Sequence, residues 1–478
     1  MKQKHSSDRP SHLVIVGGGS AAFSAALTAE GLGLEVTLIN GGLPIGGTCV
    51  NVGCVPSKAL LRAAESLHRA QHTPFEGIAV HGEVSDFAAV MAQKKALVED
   101  LRQAKYLDVI SGKDRIRRIE GRGRFVAKDR VAVKTKDGTR EVQGDLFLIA
   151  TGTRPAEPAI TGLDQVDWLD NESAFELRER PESMIILGGR YIALEMAQMF
   201  ARFGTKITVL QRSASILPTE SEGLTSALAG YLTQEGVDIQ TSVRIEQIQE
   251  EGGQILIRTT QNGEPREYRA ARLLNALGRT PNTEGLGLTA IGVERTDQGF
   301  VAIDETLQTS QPGIFAAGDV IGNPSFVYTA AYEGALAVRN GIEGAAEKRD
   351  YTALPWVVFT DPQVAGVGLD ERQAAELGMV VDSRTLPLDQ VPRSLAARDT
   401  RGFVQLIRDP ERDILVGGRV LAPEGSELLM EIALAIRYQI PVRELARSFH
   451  AYLTLSEAIK LAAITFEKNV KELSCCAS

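Results

Sequence analysis

Short apolar runs closed by glycine recur along the chain, with longer stretches of helical spacing between them. The first run, His12-Leu13-Val14-Ile15-Val16, is too short for a helix and too apolar for a surface, so it predicts a buried strand. It leads into Gly17-Gly18-Gly19-Ser20-Ala21-Ala22, an alanine-rich helix, and a second strand at Glu35-Val36-Thr37-Leu38-Ile39. About 170 residues on, the same order returns. Met184-Ile185-Ile186-Leu187 runs into Gly188-Gly189-Arg190-Tyr191-Ile192-Ala193, then a helix, then the strand Lys206-Ile207-Thr208-Val209-Leu210. Residues 59–110 read as polar, amphipathic helix, and Ile119–Phe125 and Arg130–Val133 as strands of a small sheet. Another buried strand precedes Ala150. Residues 237–277 read as short strands around the turn Gln261-Asn262-Gly263. Beyond Tyr351, strand signals at Gly402–Ile407 and Ile414–Gly418 are followed by helices over 424–438 and 456–470, each apolar on one face.

A strand–glycine turn–helix–strand unit with the spacing G-x-G-x-x-A cradles a pyrophosphate. The glycines permit a tight turn and close backbone approach, and the helix N-terminus faces the negative charge. Gly17, Gly19 and Ala22 fill those positions in the first unit. Two such units imply two dinucleotides. The expected fold class is α/β, with two Rossmann-like dinucleotide-binding domains and an α+β C-terminal unit; a chain of 478 residues has length for about three domains. Net charge of −9 argues against a nucleic-acid partner. No apolar run reaches the ~18 residues of a membrane span. The polar start MKQKHSSDRPSH lacks the apolar core of a signal peptide and reads as a disordered lead-in over residues 1–10. A cytoplasmic location is therefore expected, where thiols are normally kept reduced. Against that background the four cysteines, Cys49/Cys54 and Cys475/Cys476, signal reactive chemistry.

The first cysteine pair lies in GGTCVNVGCVPSK, residues 46–58. Five positions apart on the first turns of a helix, two sulfurs can bridge. A helix N-terminus lowers a thiol pKa, and Lys58 adds a cation one turn on. Gly46 and Gly47 let the backbone pass close to a flat ligand. A disulfide that opens and closes beside a tightly approached cofactor is a two-electron relay. This stretch resembles the redox-active disulfide of the pyridine nucleotide-disulfide oxidoreductases, and the resemblance extends from about Ser11 to the end.

The resemblance implies FAD in the first dinucleotide site and a nicotinamide nucleotide in the second. It makes Cys54 the flavin-proximal sulfur and Cys49 the exchanging one, pairs Glu195 with Lys58, and puts Tyr191 over the flavin as a gate. Gly123 falls at the adenine; Gly42, Gly47, Thr48 and Val327 join the flavin contacts, as does Lys58. Thr151-Gly152-Thr153 resembles the hinge out of the flavin domain and Gly278-Arg279-Thr280-Pro281-Asn282 the return hinge, making Gly152 and Gly278 cofactor neighbours. Thr309–Asp319 resembles the segment that brings a carboxylate, here Asp319, to the flavin ribitol. Gly188 opens the second turn. The expected domains are residues 11–150 with 278–350 for FAD, 151–277 for NADPH, and 351–478 for dimerisation, each active site borrowing the partner's C-terminal segment.

Departures from the family pattern narrow the substrate. At the end of the second strand, where an acid normally binds the adenosine ribose, stands Asn40. Arg190 replaces the second glycine of the second turn. Gln211-Arg212-Ser213 replaces an acid that would repel a 2′-phosphate, which favours NADPH. Disulfide reductases of the family carry His-Pro-Thr-x-x-Glu near the end. Here the stretch is Tyr452-Leu453-Thr454-Leu455-Ser456-Glu457, and tyrosine, with a pKa of ~10, is a poor proton shuttle near neutrality. His450 lies two residues earlier and on a different face, so as a substitute base it competes with the reading of a packed or surface histidine. The adjacent Cys475 and Cys476 sit too close for an unstrained bridge and suit a soft, low-coordinate cation. With Tyr328, this pattern resembles the branch of the family that reduces Hg(II), in a form without an extra N-terminal metal-carrying domain. The metal ligands are then Cys49, Cys54, Cys475 and Cys476, taking Hg(II) from small thiol complexes. The rival readings are a thioredoxin reductase-like or dihydrolipoamide dehydrogenase-like disulfide reductase, and a mercury-binding or redox-sensing flavoprotein without turnover.

Overall fold

A computed structural model describes residues 11–344 and 346–469. The lead-in at 1–10 and the cysteines Cys475 and Cys476 lie outside the described residues. The described residues form two compact units, one drawn from residues 11–57, 91–157 and 277–350, the other from 58–90, 158–276 and 351–469.

The first unit is built on a parallel sheet. Its first strand β1 (His12–Val16) is followed by helix α1 (Ser20–Gly31) and strand β2 (Glu35–Asn40). Two helices then follow in quick succession, α2 (Gly47–Val52) and α3 (Cys54–Gln71), and later α4 (Phe87–Arg102) and strand β3 (Ile116–Glu120). The strand order is Ile314–Ala316, Leu146–Ile149, β1, β2, β3, with every neighbouring pair parallel. Parallel strands covered on both faces are apolar throughout, which is why Leu13, Ile15, Leu38 and Leu148 are all within 1% of full burial. The alanines of α1 let the helix 327–343 come close. A Cβ on Gly334 of that helix would stand 2.1 Å from the carbonyl oxygen of Ala21, so only glycine fits there.

Three readings from the sequence are corrected. Ile119–Phe125 is not one strand of a small sheet. Gly121 divides it, leaving β3 in the parallel sheet and strand β4 (Arg122–Ala127) in a three-stranded antiparallel sheet. The break has a cause: Gly121 donates its N–H to the Asn40 carbonyl, and a Cβ there would lie 2.6 Å from the Lys134 oxygen. Residues 59–110 are not continuous helix, because α3 ends at Gln71 just before Thr73-Pro74 and helix resumes at Phe87. Finally, the helix expected over 456–470 spans only Glu457–Ile464.

The second unit holds a four-stranded parallel sheet, ordered Asp238–Gln240, Lys206–Leu210, Ser183–Leu187, Arg272–Asn275. It also holds a five-stranded antiparallel sheet of residues 355–358, 363–368, 414–422, 403–409 and 382–387, covered by helices Gly425–Arg437 and Glu457–Ile464. A buried charge cluster ties them together. Arg202, on the helix after Ser183–Leu187, lies 2.7 Å from Glu235 and 2.9 Å from Asp361, and Arg401 reaches Asp361 at 2.9 Å. Burial pushes the Asp361 carboxyl up, but Arg401 and Arg202 more than reverse this and hold it below its ordinary value. The contribution of Asp361 is therefore full above that ordinary value of 3.8 and fades as pH falls through the lower folded value. Removing one member of a buried ion cluster strands its partners, so Asp361→Ala should cost about 3 kcal/mol or more at pH 7. Urea unfolding of both proteins checks this; equal midpoints at pH 7 would rule it out.

Candidate active site

The glycine turn after β1 comes first. Gly17 has φ +142°, donates its N–H to the Ile39 carbonyl, and could carry no Cβ, which would fall 2.1 Å from the Ala150 oxygen. Gly19 is the N-cap of α1, with extended backbone and no side chain capping the helix. Its first N–H groups thus remain for an anion. Thr48, Val327 and Asp319 are half-buried; Ala22 is fully buried in the helix packing. Asp319 accepts a hydrogen bond from Thr153 Oγ1 at 3.1 Å, and Thr153 Oγ1 in turn accepts one from Arg279 Nε at 2.8 Å. Gly152 (φ +64°) and Gly278 (φ +134°) flank two short strands, Thr153–Pro155 and Arg279–Pro281, that pair antiparallel where the chain leaves and re-enters this unit. A Cβ on Gly123 would press on Val16, Val131 and Ile39 at 3.1–3.4 Å. An uncapped helix, a turn without side chains and a poised carboxylate fit a dinucleotide.

The cysteine loop docks on this turn. Gly46 donates its N–H to the Gly18 carbonyl at 2.7 Å, and a Cβ on Gly47 would sit 2.7 Å from the Gly19 Cα. The two cysteines do not share one helix, as the sequence reading had it. Cys49 is in α2 and Cys54 opens α3, because Gly53 between them leaves helical geometry at φ −127°, ψ −108°. Both are partly buried. Asn51 fastens the loop: its Nδ2 donates to the carbonyls of Gly47 at 2.8 Å, Pro44 at 3.0 Å and Ile45 at 3.2 Å, and its Oδ1 accepts from Arg102 at 3.1 Å.

Tyr106 was not visible as a site residue in the sequence. It lies on a π-helical turn, Gln103–Leu107, that follows α4. Its ring meets Phe23 edge-on at 4.7 Å, its edge would be 3.2 Å from a Cβ on Gly46, and its hydroxyl is hydrogen-bonded with Ser20 at the start of α1. Burial pushes its pKa up, and the nearby Cys49 and Cys54 push it the same way. A helix register shifted by one residue has no pattern that sequence periodicity detects.

In the second unit, Lys58 Nζ lies 2.7 Å from Glu195 Oε2 and 4.5 Å from the centroid of the Phe359 ring. The other oxygen of Glu195 accepts the Phe359 N–H at 2.9 Å, so this buried carboxylate is held at both ends. The second glycine turn repeats the first. Gly188 has φ +110°, and Arg190 caps the following helix with φ −105°, ψ −169°, close to the −90°, −166° of Gly19. An arginine is therefore no strain on the backbone, and its side chain is exposed. Gln211 is buried and packs over Gly189, while Arg212 is exposed beside it. Tyr191 stacks on Trp356 at 6.1 Å, and Arg419, buried and 2.6 Å from Glu220, lies 5.4 Å from the same indole. Burial pushes the Tyr191 pKa up. Trp356 and Arg419 carried no functional signal in the sequence beyond being a strand tryptophan and a lone charge.

Near the C-terminal end of the described chain, Tyr452 is 51% exposed. Glu457 is buried, and its Oε2 has no hydrogen-bond partner among the described residues. Both ring nitrogens of His450 are engaged: Nε2 lies 2.7 Å from Glu431 and Nδ1 3.3 Å from the Ser448 carbonyl. In the first unit, exposed Tyr328 stacks face to face with Phe326 at 5.2 Å.

Residues 11–334 match the family described as pyridine nucleotide-disulphide oxidoreductase, and residues 354–463 match its dimerisation domain. The chain belongs to the pyridine nucleotide-disulphide oxidoreductases. It is similar to the mercuric reductase of Streptomyces lividans, 43% identical over 467 residues, which are 97% of this chain and 98% of that one. It is equally similar to the mercuric reductase of Shigella flexneri, 43% identical over 471 residues, covering 98% of this chain and 82% of the relative. Among solved structures, the HOCl-induced flavoprotein disulfide reductase RclA of Escherichia coli, in its Cu(II) complex, superimposes with a TM-score of 0.86 at 28% identity, over 96% of this chain and 100% of that one.

The docking of the loop on the glycine turn is testable by substitution. Gly42 and Gly47 both have left-handed φ, +106° and +64°, but a Cβ on Gly42 meets nothing within 4 Å. Gly42→Ala should cost only the backbone term, roughly 1 kcal/mol. Gly47→Ala should cost a further 1–3 kcal/mol or so from overpacking. Denaturant unfolding of the two variants measures the difference, and equal losses would contradict the close approach.

Proposed function

We propose that this chain is an NADPH-dependent flavoprotein that reduces Hg(II) to Hg(0) at Cys49 and Cys54. The observation that carries this reading is the position where a disulfide reductase keeps its proton shuttle. Tyr452 stands there, Glu457 has a buried oxygen without a hydrogen-bond partner among the described residues, and His450 is hydrogen-bonded with Glu431. A leaving dithiol needs a proton; a metal ion taking two electrons between two thiolates does not. The similarity to two mercuric reductases over nearly the whole chain supports the same reading.

FAD would be held by the first glycine turn (Gly17, Gly19, Ala22), with Asn40, Gly42, Gly47, Thr48, Lys58, Gly123, Gly152, Asp319 and Val327 around it. Bound flavin supplies the two-electron relay between NADPH and the sulfur pair. Everything else belongs to the chain. The uncapped end of α1 neutralises the pyrophosphate. The Lys58–Glu195 pair fixes a cation on the helix that begins with Cys54, favouring thiolate there. Gly188 opens the turn that would receive the nicotinamide nucleotide, with Tyr191 as the gate beside it, and exposed Arg212, next to a buried Gln211 instead of an acid, selects its 2′-phosphate.

With both cysteines reduced, Cys49 and Cys54 bind Hg(II) as thiolates, and two electrons convert it to Hg(0) and release both thiolates. Cys475 and Cys476 would take the ion from small thiol complexes and hand it on. Tyr328 and Tyr452 would supply aromatic walls, and their neutral hydroxyls hydrogen-bond donors for thiolates that hold the ion. The domains run 11–150 with 278–350 for FAD, 151–277 for NADPH, and 351–478 for dimerisation. A homodimer is supported by an apolar stripe along the helix Gly425–Arg437 and its C-cap, where Met430, Leu434 and Tyr438 at i, i+4 and i+8 are 52%, 47% and 69% exposed; sharing of the sites between subunits is part of the proposal. No described helix is long and apolar enough to cross a membrane; a reducing cytoplasm suits open thiols.

The test is a side-by-side turnover assay with NADPH, offering Hg(II) in excess thiol, lipoamide and thioredoxin in parallel. NADPH oxidation with stoichiometric mercury vapour, and rates on the two disulfides at least about tenfold lower, are expected, since general acid–base help is worth 10²–10⁴-fold. Efficient turnover of lipoamide or thioredoxin would return the chain to the disulfide reductases. Binding of Hg(II) without NADPH oxidation would leave it a mercury-binding flavoprotein.

A further inference from the structure

The adenosine ribose of a dinucleotide in the first site lacks its usual partner, because β2 ends in Asn40. The ribose hydroxyls of such a site are ordinarily bound by a carboxylate at that strand end. In the sheet, Asn40 pairs directly with Glu120, the last residue of the neighbouring parallel strand β3. The Asn40 side chain lies between the glycine turn and that glutamate. Its Oδ1 would be 2.0 Å from a Cβ on Gly18, and its Nδ2 donates to Glu120 Oε2 at 3.3 Å and to the Leu43 carbonyl at 3.2 Å. Arg118 Nε lies 3.3 Å from Glu120 Oε1. Each carboxylate oxygen is thus oriented by one donor. An ionised carboxylate has about four acceptor sites, so lone pairs remain for two hydroxyls. The side chain is 60% exposed, so an incoming sugar can reach it.

We propose that Glu120 is the ribose-binding acid of this chain, displaced by one strand from its ordinary place, with Asn40 as the residue that positions it. The amide on β2 is then a complement to an acid on β3. An acid at both places would set two carboxylates side by side and raise the cost of charging either. An amide that donates to the displaced carboxylate removes that repulsion. This inference rests on the reading of the first site as an FAD site and extends it to a residue on another strand.

The experiment is an equilibrium titration of the full-length chain, freed of flavin, followed by flavin fluorescence. The ligands are FAD and an FAD analogue whose adenosine lacks the ribose 2′-hydroxyl, and the proteins are wild type, Glu120→Gln and the exchange Asn40→Glu/Glu120→Gln. Wild type should bind the analogue about tenfold more weakly than FAD, the scale of a charge-assisted hydrogen bond. Glu120→Gln should weaken FAD by a similar factor and lose most of the discrimination between the ligands. The exchange should recover both. Two results overturn the assignment: Glu120→Gln binding FAD as wild type does, or Glu120→Gln weakening FAD and analogue equally, which is the mark of a merely structural role. A wild-type chain that takes up no FAD overturns the flavin reading itself along with this inference.

Discussion

The structure of the first unit depends on one close approach of backbone to backbone. The loop before the cysteines lies on the glycine turn after β1, with the Gly46 N–H on the Gly18 carbonyl and no room for a Cβ between Gly47 and Gly19. Four glycines in two distant stretches of sequence are needed for a single contact. Through it, the turn shaped to receive a pyrophosphate also sets where α2 begins, and therefore where Cys49 and Cys54 stand. Asn51 secures the same loop from within by three hydrogen bonds to its carbonyls, and Tyr106 covers it from outside. Redox chemistry at a sulfur pair requires a fixed distance to the electron donor, and here that distance is built from main chain, the least adjustable part of a protein.

In the second unit a buried network replaces a glycine contact. Arg202, Glu235, Asp361 and Arg401 join the parallel sheet to the antiparallel one, and Glu195 joins Lys58 to the Phe359 backbone. Such clusters are costly to bury and are kept where partial removal is worse than the whole. They also give direction to side chains that face a ligand: Arg419, held by Glu220, lies on the Trp356 indole on which Tyr191 stacks. The stack places a flat aromatic surface at the start of the helix that follows the second glycine turn, next to the exposed Arg190.

Much of this was legible in the sequence because it is local. A buried strand, a glycine turn and an alanine-rich helix occupy thirty or so contiguous residues, and their physics is contained in that window. The same holds for GGTCVNVGCVPSK and for the strand that ends near Asp319. What was not legible depends on partners remote in sequence. The break at Gly121 is imposed by Lys134 and Asn40. Tyr106 comes from a π-turn whose register shift leaves no periodic trace. Asn40 reads in the sequence as an amide in the place of the ribose-binding acid, and only the pairing of β2 with β3 brings Glu120 beside it. Trp356 and Arg419 acquire meaning only when three segments meet.

The central claim is that the docked loop makes Cys49 and Cys54 the place where electrons from NADPH are delivered. It is tested most directly by anaerobic reduction of the oxidised, flavin-loaded protein with one equivalent of NADPH, followed by alkylation and mapping of the modified cysteines. The account predicts two newly alkylated residues per chain, Cys49 and Cys54, with the flavin still yellow and oxidised. A bleached flavin with neither cysteine newly modified would contradict it.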